Sequence, residues 1–159
     1  YLCRIYHRVY GLKGVALRLF TVYGPRQRPD MAIHKFTQLL CGGKKLPVFG
    51  DGTSRRDYTY ISDIIDGILR AIGAELRWEI INLGGGHSVT LLELVELIGR
   101  GLSQPVRWDN LPFQPGDVKA TLADVSKARE CLGYRPCTGL EEGIKAFLAW
   151  FRKEKGGSS

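Results

Sequence analysis

The sequence has no apolar run approaching the ~18 residues that a membrane-spanning helix needs, so no helical membrane span is expected. It has no C-x-x-C pair. Cys3, Cys41, Cys131 and Cys137 stand apart without a partnering histidine, which argues against a zinc site. A chain of this size with a good core does not need disulfides, so free thiols in a reducing cytoplasm are expected. The three histidines, His7, His34 and His87, are dispersed and offer neither a Ser-His-Asp arrangement nor a metal set. Gly84-Gly85-Gly86 follows a strand-like run, but it is not G-x-G-x-x-G and reads as a loop. Internal repeats are absent. Acidic residues are the minority: sixteen Asp and Glu against 23 Lys and Arg leave a formal charge of +7. That balance suits nucleic acid, acidic lipid or a phosphate-bearing small molecule, and equally a solvated basic face.

What is present is ordinary globular composition. The 159 residues are 44% hydrophobic and 25% charged, enough for one domain with a full core. The opening Tyr1-Leu2-Cys3-Arg4 lacks a signal-peptide apolar stretch and reads as the middle of a helix, so a piece of a longer protein is expected. Helix-like and strand-like segments then alternate, which argues for an α/β fold. Tyr1 to Tyr10 reads as a helix stopped by Gly11 and Gly14. Val15 to Phe20 reads, apart from Arg18, as a strand buried on both faces, the kind found in parallel sheets. Met31 to Cys41 reads as a helix, Leu46 to Phe49 as a strand, and Arg56 to Tyr60 as another. Ile61, Ile64, Ile65, Ile68 and Ile72 outline an amphipathic helix. Trp78 to Leu83 and Gln104 to Asp109 are further strands, with Leu111 to Gly116 a loop. Thr90-Leu91-Leu92-Glu93 and Thr138-Gly139-Leu140-Glu141 are capping boxes that open helices. Asp124 caps a short helix that runs through Leu132, and residues 156–159 form a flexible tail.

Three loops carry candidate chemistry. Thr21 to Met31 follows a strand and sets Arg26 and Arg28 beside a helix start, the place where α/β proteins bind ligands and where anions are favoured. In Asp51 to Tyr58, strand alternation puts Arg56 and Tyr58 on one face, a forked cation beside an aromatic ring suited to phosphate plus a flat base or ribose. Gln114-Pro115-Gly116-Asp117 is a turn that presents a carboxylate suited to ribose hydroxyls. Each loop taken alone also fits a surface turn with solvated charges.

Together they are more specific. The order V-x-L-R-x-F-T-V-Y-G-P, P-V-F-G-D-G-x-x-x-R-D-Y-x-Y-I-x-D-I and P-G-D-V-x-x-T-x-A-D-x-S-K-A-x-x-x-L-G-Y-x-P resembles the C-terminal part of NAD-dependent nucleotide-sugar epimerases and dehydratases, the extended short-chain dehydrogenase/reductases. The resemblance covers Tyr1 to about Phe151. Arg28-Pro29-Asp30-Met31-Ala32 looks most like the UDP-glucuronate/UDP-glucose 4-epimerase branch.

The resemblance implies an α/β substrate domain with a remnant of the Rossmann sheet and the N-terminal cofactor half missing. Residues 1–22 would be that remnant, 23–155 the UDP-sugar-binding domain and 156–159 the tail. By similarity, Pro47 and Phe49 flank the uracil, Arg56 meets the phosphates with Tyr58 beside the nucleotide, and Asp117 binds ribose. Thr21 lies near the hexose. Met31, Ala32 and Lys35 begin the helix facing sugar and phosphate, and Lys35 can meet a sugar carboxylate. Gln114 stands where galactose-type enzymes usually carry an arginine as a second phosphate clamp. Phe20 and Val22 lie in the nicotinamide vicinity of the family's NAD. The family's G-x-x-G-x-x-G loop, Y-x-x-x-K pair and catalytic Ser/Thr do not occur, so no catalytic residue is assigned and the chain is expected to be inactive alone, without bound NAD or metal. The intact enzyme would be a cytoplasmic homodimer. Leu2, Ile5, Tyr6 and Val9 would lack their usual partners, so self-association of this chain is expected. A dehydratase, decarboxylase or reductase on the same scaffold is the alternative. A basic nucleic-acid module is a further one, although no helix-turn-helix or RNP pattern occurs and the basic residues are interspersed.

Overall fold

A computed structural model describes residues 1–156. Along the chain run α1 (Leu2–Tyr10), β1 (Gly14–Leu19), β2 (Thr21–Tyr23), α2 (Ala32–Cys41), β3 (Leu46–Phe49), β4 (Arg55–Arg56), β5 (Tyr58–Tyr60) and α3 (Ile61–Gly73). They are followed by β6 (Trp78–Leu83), β7 (Val89–Thr90), α4 (Leu91–Leu102), β8 (Trp108–Leu111), α5 (Ser126–Leu132) and α6 (Leu140–Gly156). The pairs β1–β6, β2–β5 and β3–β8 are parallel, and β4–β7 is antiparallel. Parallel partners need long crossovers, and here each crossover contains at least one helix. The fold is therefore α/β.

Two apolar clusters hold it together. In one, Ile33, Phe36 and Leu40 of α2 pack with Leu94, Val95 and Ile98 of α4 and with Ile144, Phe147, Leu148 and Phe151 of α6. These positions recur at helical spacing, so each helix turns one apolar stripe inward. In the other, Ile64 of α3, Ile81 and Leu83 of β6 and Ala128 and Leu132 of α5 close around Tyr134. Fully burying each Leu, Ile or Phe contributes about 1.5–3 kcal/mol. Gly143 lets α6 approach Tyr23, whose hydroxyl would lie 2.1 Å from an added Cβ. The Tyr23 hydroxyl donates to Leu140 O at 3.3 Å. Burial pushes that phenol far above its ordinary range.

Local signals hold at two helix ends in particular. Gly11 caps α1 with a left-handed φ of 69°. Thr90 closes a capping box on α4: its hydroxyl accepts from Glu93 N–H, and the Glu93 carboxylate accepts from Thr90 N–H. These bonds hold the Glu93 carboxyl below its usual range. Thr90→Ala is expected to lower stability by about 1 kcal/mol in urea unfolding, with an unchanged m-value.

Several expectations are corrected. β1 is half-buried rather than covered on both faces, with Leu19 exposed as well as the expected Arg18, because β6 is its one strand neighbour among the described residues. The run Arg56 to Tyr60 is two strands broken at Asp57, since β4 pairs with β7 while β5 pairs with β2. The strand placed at Gln104–Asp109 forms instead at Trp108–Leu111, where it is in register with β3, so Leu111 is strand and not loop. The second capping box does not form. α6 starts at Leu140, and the Thr138 hydroxyl and N–H both donate to Asp63 across the fold. On α3, Ile65 and Ile72 stay exposed, because α3 buries only the flank that carries Ile64. Leu2, Ile5, Tyr6 and Val9 of α1 are exposed, in keeping with the expectation that they lack partners. Gly156 is the last residue of α6 rather than tail, and the rest of the expected tail, 157–159, lies outside the described residues. All four cysteines are unpaired. Among the described residues no helix is long and apolar enough to cross a membrane.

Candidate functional site

Parallel pairing of β3 with β8 brings the strand after α2 beside the segment that leads to Pro115-Gly116. That turn runs from Gln114 to Asp117, with Asp117 N–H donating to Gln114 O at 3.1 Å. Gly116 has φ of 88°, and Pro115 before it cannot adopt positive φ, so the turn is type II. It projects Asp117 toward β4. There Arg56 Nη2 donates to Asp117 Oδ1 at 2.5 Å, and Arg56 Nη1 donates to Arg55 O at 2.9 Å. The Arg56 side chain is only 20% exposed, whereas Asp117 is 39% exposed.

This pair borders a cavity of about 220 Å³. Ala32 and Lys35 from the first turn of α2 form one wall, and Pro47 and Phe49 from β3 form another. Arg56 and Tyr58 lie along the third side. Strand alternation puts Arg56 and Tyr58 on this face, as their spacing predicts. Burial pushes the Tyr58 phenol up to about 12, with the nearby Arg56 charge opposing the rise. Tyr58 is therefore a neutral hydroxyl at pH 7, able to hydrogen-bond a ligand but not to act as a base. A guanidinium, an ammonium and a carboxylate around an aromatic-edged cavity can hold an anion together with a ribose-like diol.

Asp57 is turned the opposite way and is fully buried. Its Oδ1 accepts from Gly85 N–H at 2.8 Å and from the Thr59 hydroxyl at 3.0 Å. Its Oδ2 accepts from Gly86 N–H and Ala123 N–H, both at 3.0 Å. One carboxylate thus ties β4 and β5 to the glycine loop after β6 and to the segment before α5. The glycines make this possible: a Cβ on Gly85 would lie 3.1 Å from Asp57 Oδ1. The glycine run is an anchor for a protein carboxylate.

A second, open cavity of about 770 Å³ adjoins at the start of α2. Phe20, Thr21 and Val22 line its floor, and Arg26, Arg28 and Met31 line its rim. Arg26 holds a positive φ of 64°, uncommon for a residue with a side chain. Arg28 forks onto Asp30 with bonds of 3.1 and 2.7 Å, and both side chains are well exposed.

The predicted site residues fall into two groups. Ala32, Lys35, Pro47, Phe49, Arg56, Tyr58 and Asp117 surround the smaller cavity. Phe20, Thr21, Val22 and Met31 line the larger one. Gln114 lines neither and is exposed at the head of the turn. The anchoring role of Asp57 is not among the predicted ones. The signal for Asp57 is in the sequence: alternation that puts Arg56 and Tyr58 on one face puts Asp57 and Thr59 on the other, and a buried acid must be paired.

Known proteins are similar to this chain in sequence and in fold. Residues 1–147 match the family model described as GDP-mannose 4,6 dehydratase. An uncharacterized protein of Methanocaldococcus jannaschii is 46% identical over 154 residues, which are 97% of this chain and 47% of that protein. The UDP-glucuronate 4-epimerase of Thermodesulfobacterium geofontis is 41% identical over 149 residues, 93% of this chain and 46% of that enzyme. The structure of UDP-glucuronic acid 4-epimerase from Bacillus cereus in complex with UDP-glucuronic acid and NAD matches with a TM-score of 0.91 at 38% identity, covering 96% of this chain and 49% of that one. The chain spans about half the length of the curated relatives it matches.

Proposed function

This chain belongs to the GDP-mannose 4,6 dehydratase family, and on that premise we propose that it is the UDP-sugar-binding portion of an NAD-dependent nucleotide-sugar 4-epimerase of the UDP-glucose/UDP-glucuronate type. One observation carries the reading: residues from α2, β3, β4, β5 and the Pro115-Gly116 turn, far apart in sequence, converge on a single cavity with an Arg56–Asp117 pair at its edge. The uracil lies between Pro47 and Phe49, the ribose against Asp117, and the diphosphate against Arg56 and Lys35. Tyr58 offers a neutral hydroxyl beside the nucleotide. The hexose extends past Met31 and Ala32 into the larger cavity, toward Thr21. On this reading residues 1–22 belong with the cofactor half and 23–155 form the UDP-sugar half.

The fit to NAD is partial. Phe20 and Val22 give the larger cavity an apolar edge that suits a nicotinamide face. Among the described residues no glycine-rich strand-to-helix turn is placed to take a dinucleotide pyrophosphate. When bound, NAD supplies the hydride chemistry, and the residues of this chain orient the sugar toward it and exclude water.

The second cavity sets the sugar preference. Arg26 and Arg28 rim it without a partner beyond Asp30 among the described residues, and an exposed pair such as Arg28–Asp30 is weak enough for a ligand carboxylate to displace. A hexuronate carboxylate there would gain a forked, charge-assisted bond. Arg28→Ala is expected to weaken UDP-glucuronate binding about tenfold while UDP and UDP-glucose are unaffected, by calorimetric titration. Equal losses for all three ligands would contradict a carboxylate role for Arg28.

A further inference from the structure

Lys35 stands on two walls at once. One faces the cavity beside Arg56. The other faces a groove of about 800 Å³ between α2 and the last turns of α6. Lys35, Gln38 and Leu39 lie along one face of α2 at i, i+3 and i+4 spacing, Lys44 follows the helix end, and Arg152 and Lys155 stand opposite on α6. Every charged side chain lining the groove is positive. Among the described residues, Lys35, Lys44 and Lys155 have no carboxylate within 4 Å. Arg152 is fixed by donating to Gly101 O at 2.7 Å, and Lys155 lies 5.9 Å from the centre of the Phe151 ring.

Helix dipoles favour cations near the ends of α2 and α6, which accounts for Lys44, Arg152 and Lys155 taken singly. They do not account for Lys35, which sits in the first turn of α2, where the dipole opposes a positive charge. Nor do they account for four cations converging on one groove without a carboxylate. Mutual repulsion there is relieved by a multivalent anion.

We infer that this groove binds a small polyphosphate anion, and that its occupancy weakens UDP-sugar binding in the neighbouring cavity because both anions draw on Lys35. The groove stands independently of the proposed function, whereas the coupling rests on it.

The probe is inorganic tripolyphosphate, titrated calorimetrically into the 159-residue chain carrying Arg56→Ala, so that the neighbouring cavity does not compete. Saturable binding is expected, weakened at least tenfold by adding Lys44→Ala and Lys155→Ala. Cys41 lines the groove and is exposed, so tripolyphosphate should also slow its alkylation, read by mass spectrometry, while leaving Cys3 unchanged. Binding that survives the two lysine substitutions, or Cys41 alkylation that ignores the anion, overturns the groove. If the double substitution alters thermal unfolding, Lys44→Gln with Lys155→Gln repeats the test on a folded chain. In the chain with Arg56 intact, tripolyphosphate should raise the UDP Kd at least threefold, and the lysine pair should remove that effect. An unchanged UDP Kd overturns the coupling alone. Absence of any UDP binding overturns the proposed cavity reading, and the groove is still judged in the Arg56→Ala chain.

Discussion

Asp57→Ala is expected to cost the fold about 3–5 kcal/mol, a large share of the 5–15 kcal/mol that a domain of this kind possesses. The substitution removes the acceptor for three backbone N–H groups, those of Gly85, Gly86 and Ala123, and for the Thr59 hydroxyl. Asp57 is 0% exposed, so water does not replace the lost partner without opening the structure. Asp57→Asn keeps the shape but turns an amide N–H toward an N–H donor, and about 2–4 kcal/mol is expected. Asp51→Ala is the contrast. Asp51 also accepts from a backbone N–H and a hydroxyl, both of Thr53, but it is exposed and water can replace it, so a much smaller loss than that of Asp57→Ala is expected. Urea unfolding of the three variants decides the matter, and an Asp57→Ala loss no larger than that of Asp51→Ala would show that the carboxylate is not an anchor. Because Asp57 sits between Arg56 and Tyr58, variants that remain folded should also bind UDP more weakly.

Arg56→Ala is expected to separate binding from stability in the opposite sense. UDP affinity should fall by about 2–4 kcal/mol, from roughly thirtyfold to several hundredfold, because a forked charge-assisted contact with phosphate is removed from a mostly buried side chain. Stability should change by less than about 1 kcal/mol, since Asp117, the partner left behind, is exposed enough to be hydrated. Arg56→Lys keeps the charge but loses the planar fork, and should fall between. Lys45→Ala serves as the control: its pairing with Asp109 at 2.7 Å is exposed and lies outside the cavity, so UDP binding should be unchanged. UDP binding to the Arg56→Ala chain within threefold of the unsubstituted chain would remove Arg56 from the phosphate site.

Arg56 and Asp57 are adjacent in the chain, yet their surroundings differ completely. A strand sends alternate side chains to opposite faces, so Arg56 reaches a solvent-linked cavity and Asp57 a sealed one. Their sequence spacing makes the alternation visible. It does not show which face is closed, because Gly85, Gly86 and Ala123 arrive from segments 28 to 66 residues away.

The sequence by itself determined what is local. The alternation of element types, the Gly11 stop, the Thr90–Glu93 box, the Pro115-Gly116 turn and the shared face of Arg56 and Tyr58 all rest on interactions within a few residues. Ordered motifs also carried the family resemblance. Tertiary structure decided the rest: the break at Asp57, the register of β8 on β3, the diversion of Thr138 from its own helix to Asp63, and the division of the site residues between two cavities. It also set Lys35 on both a cavity and a basic groove. Each depends on segments separated by tens of residues returning to one place. That return is fixed by the summed packing of two apolar clusters, and no single residue or short motif encodes it.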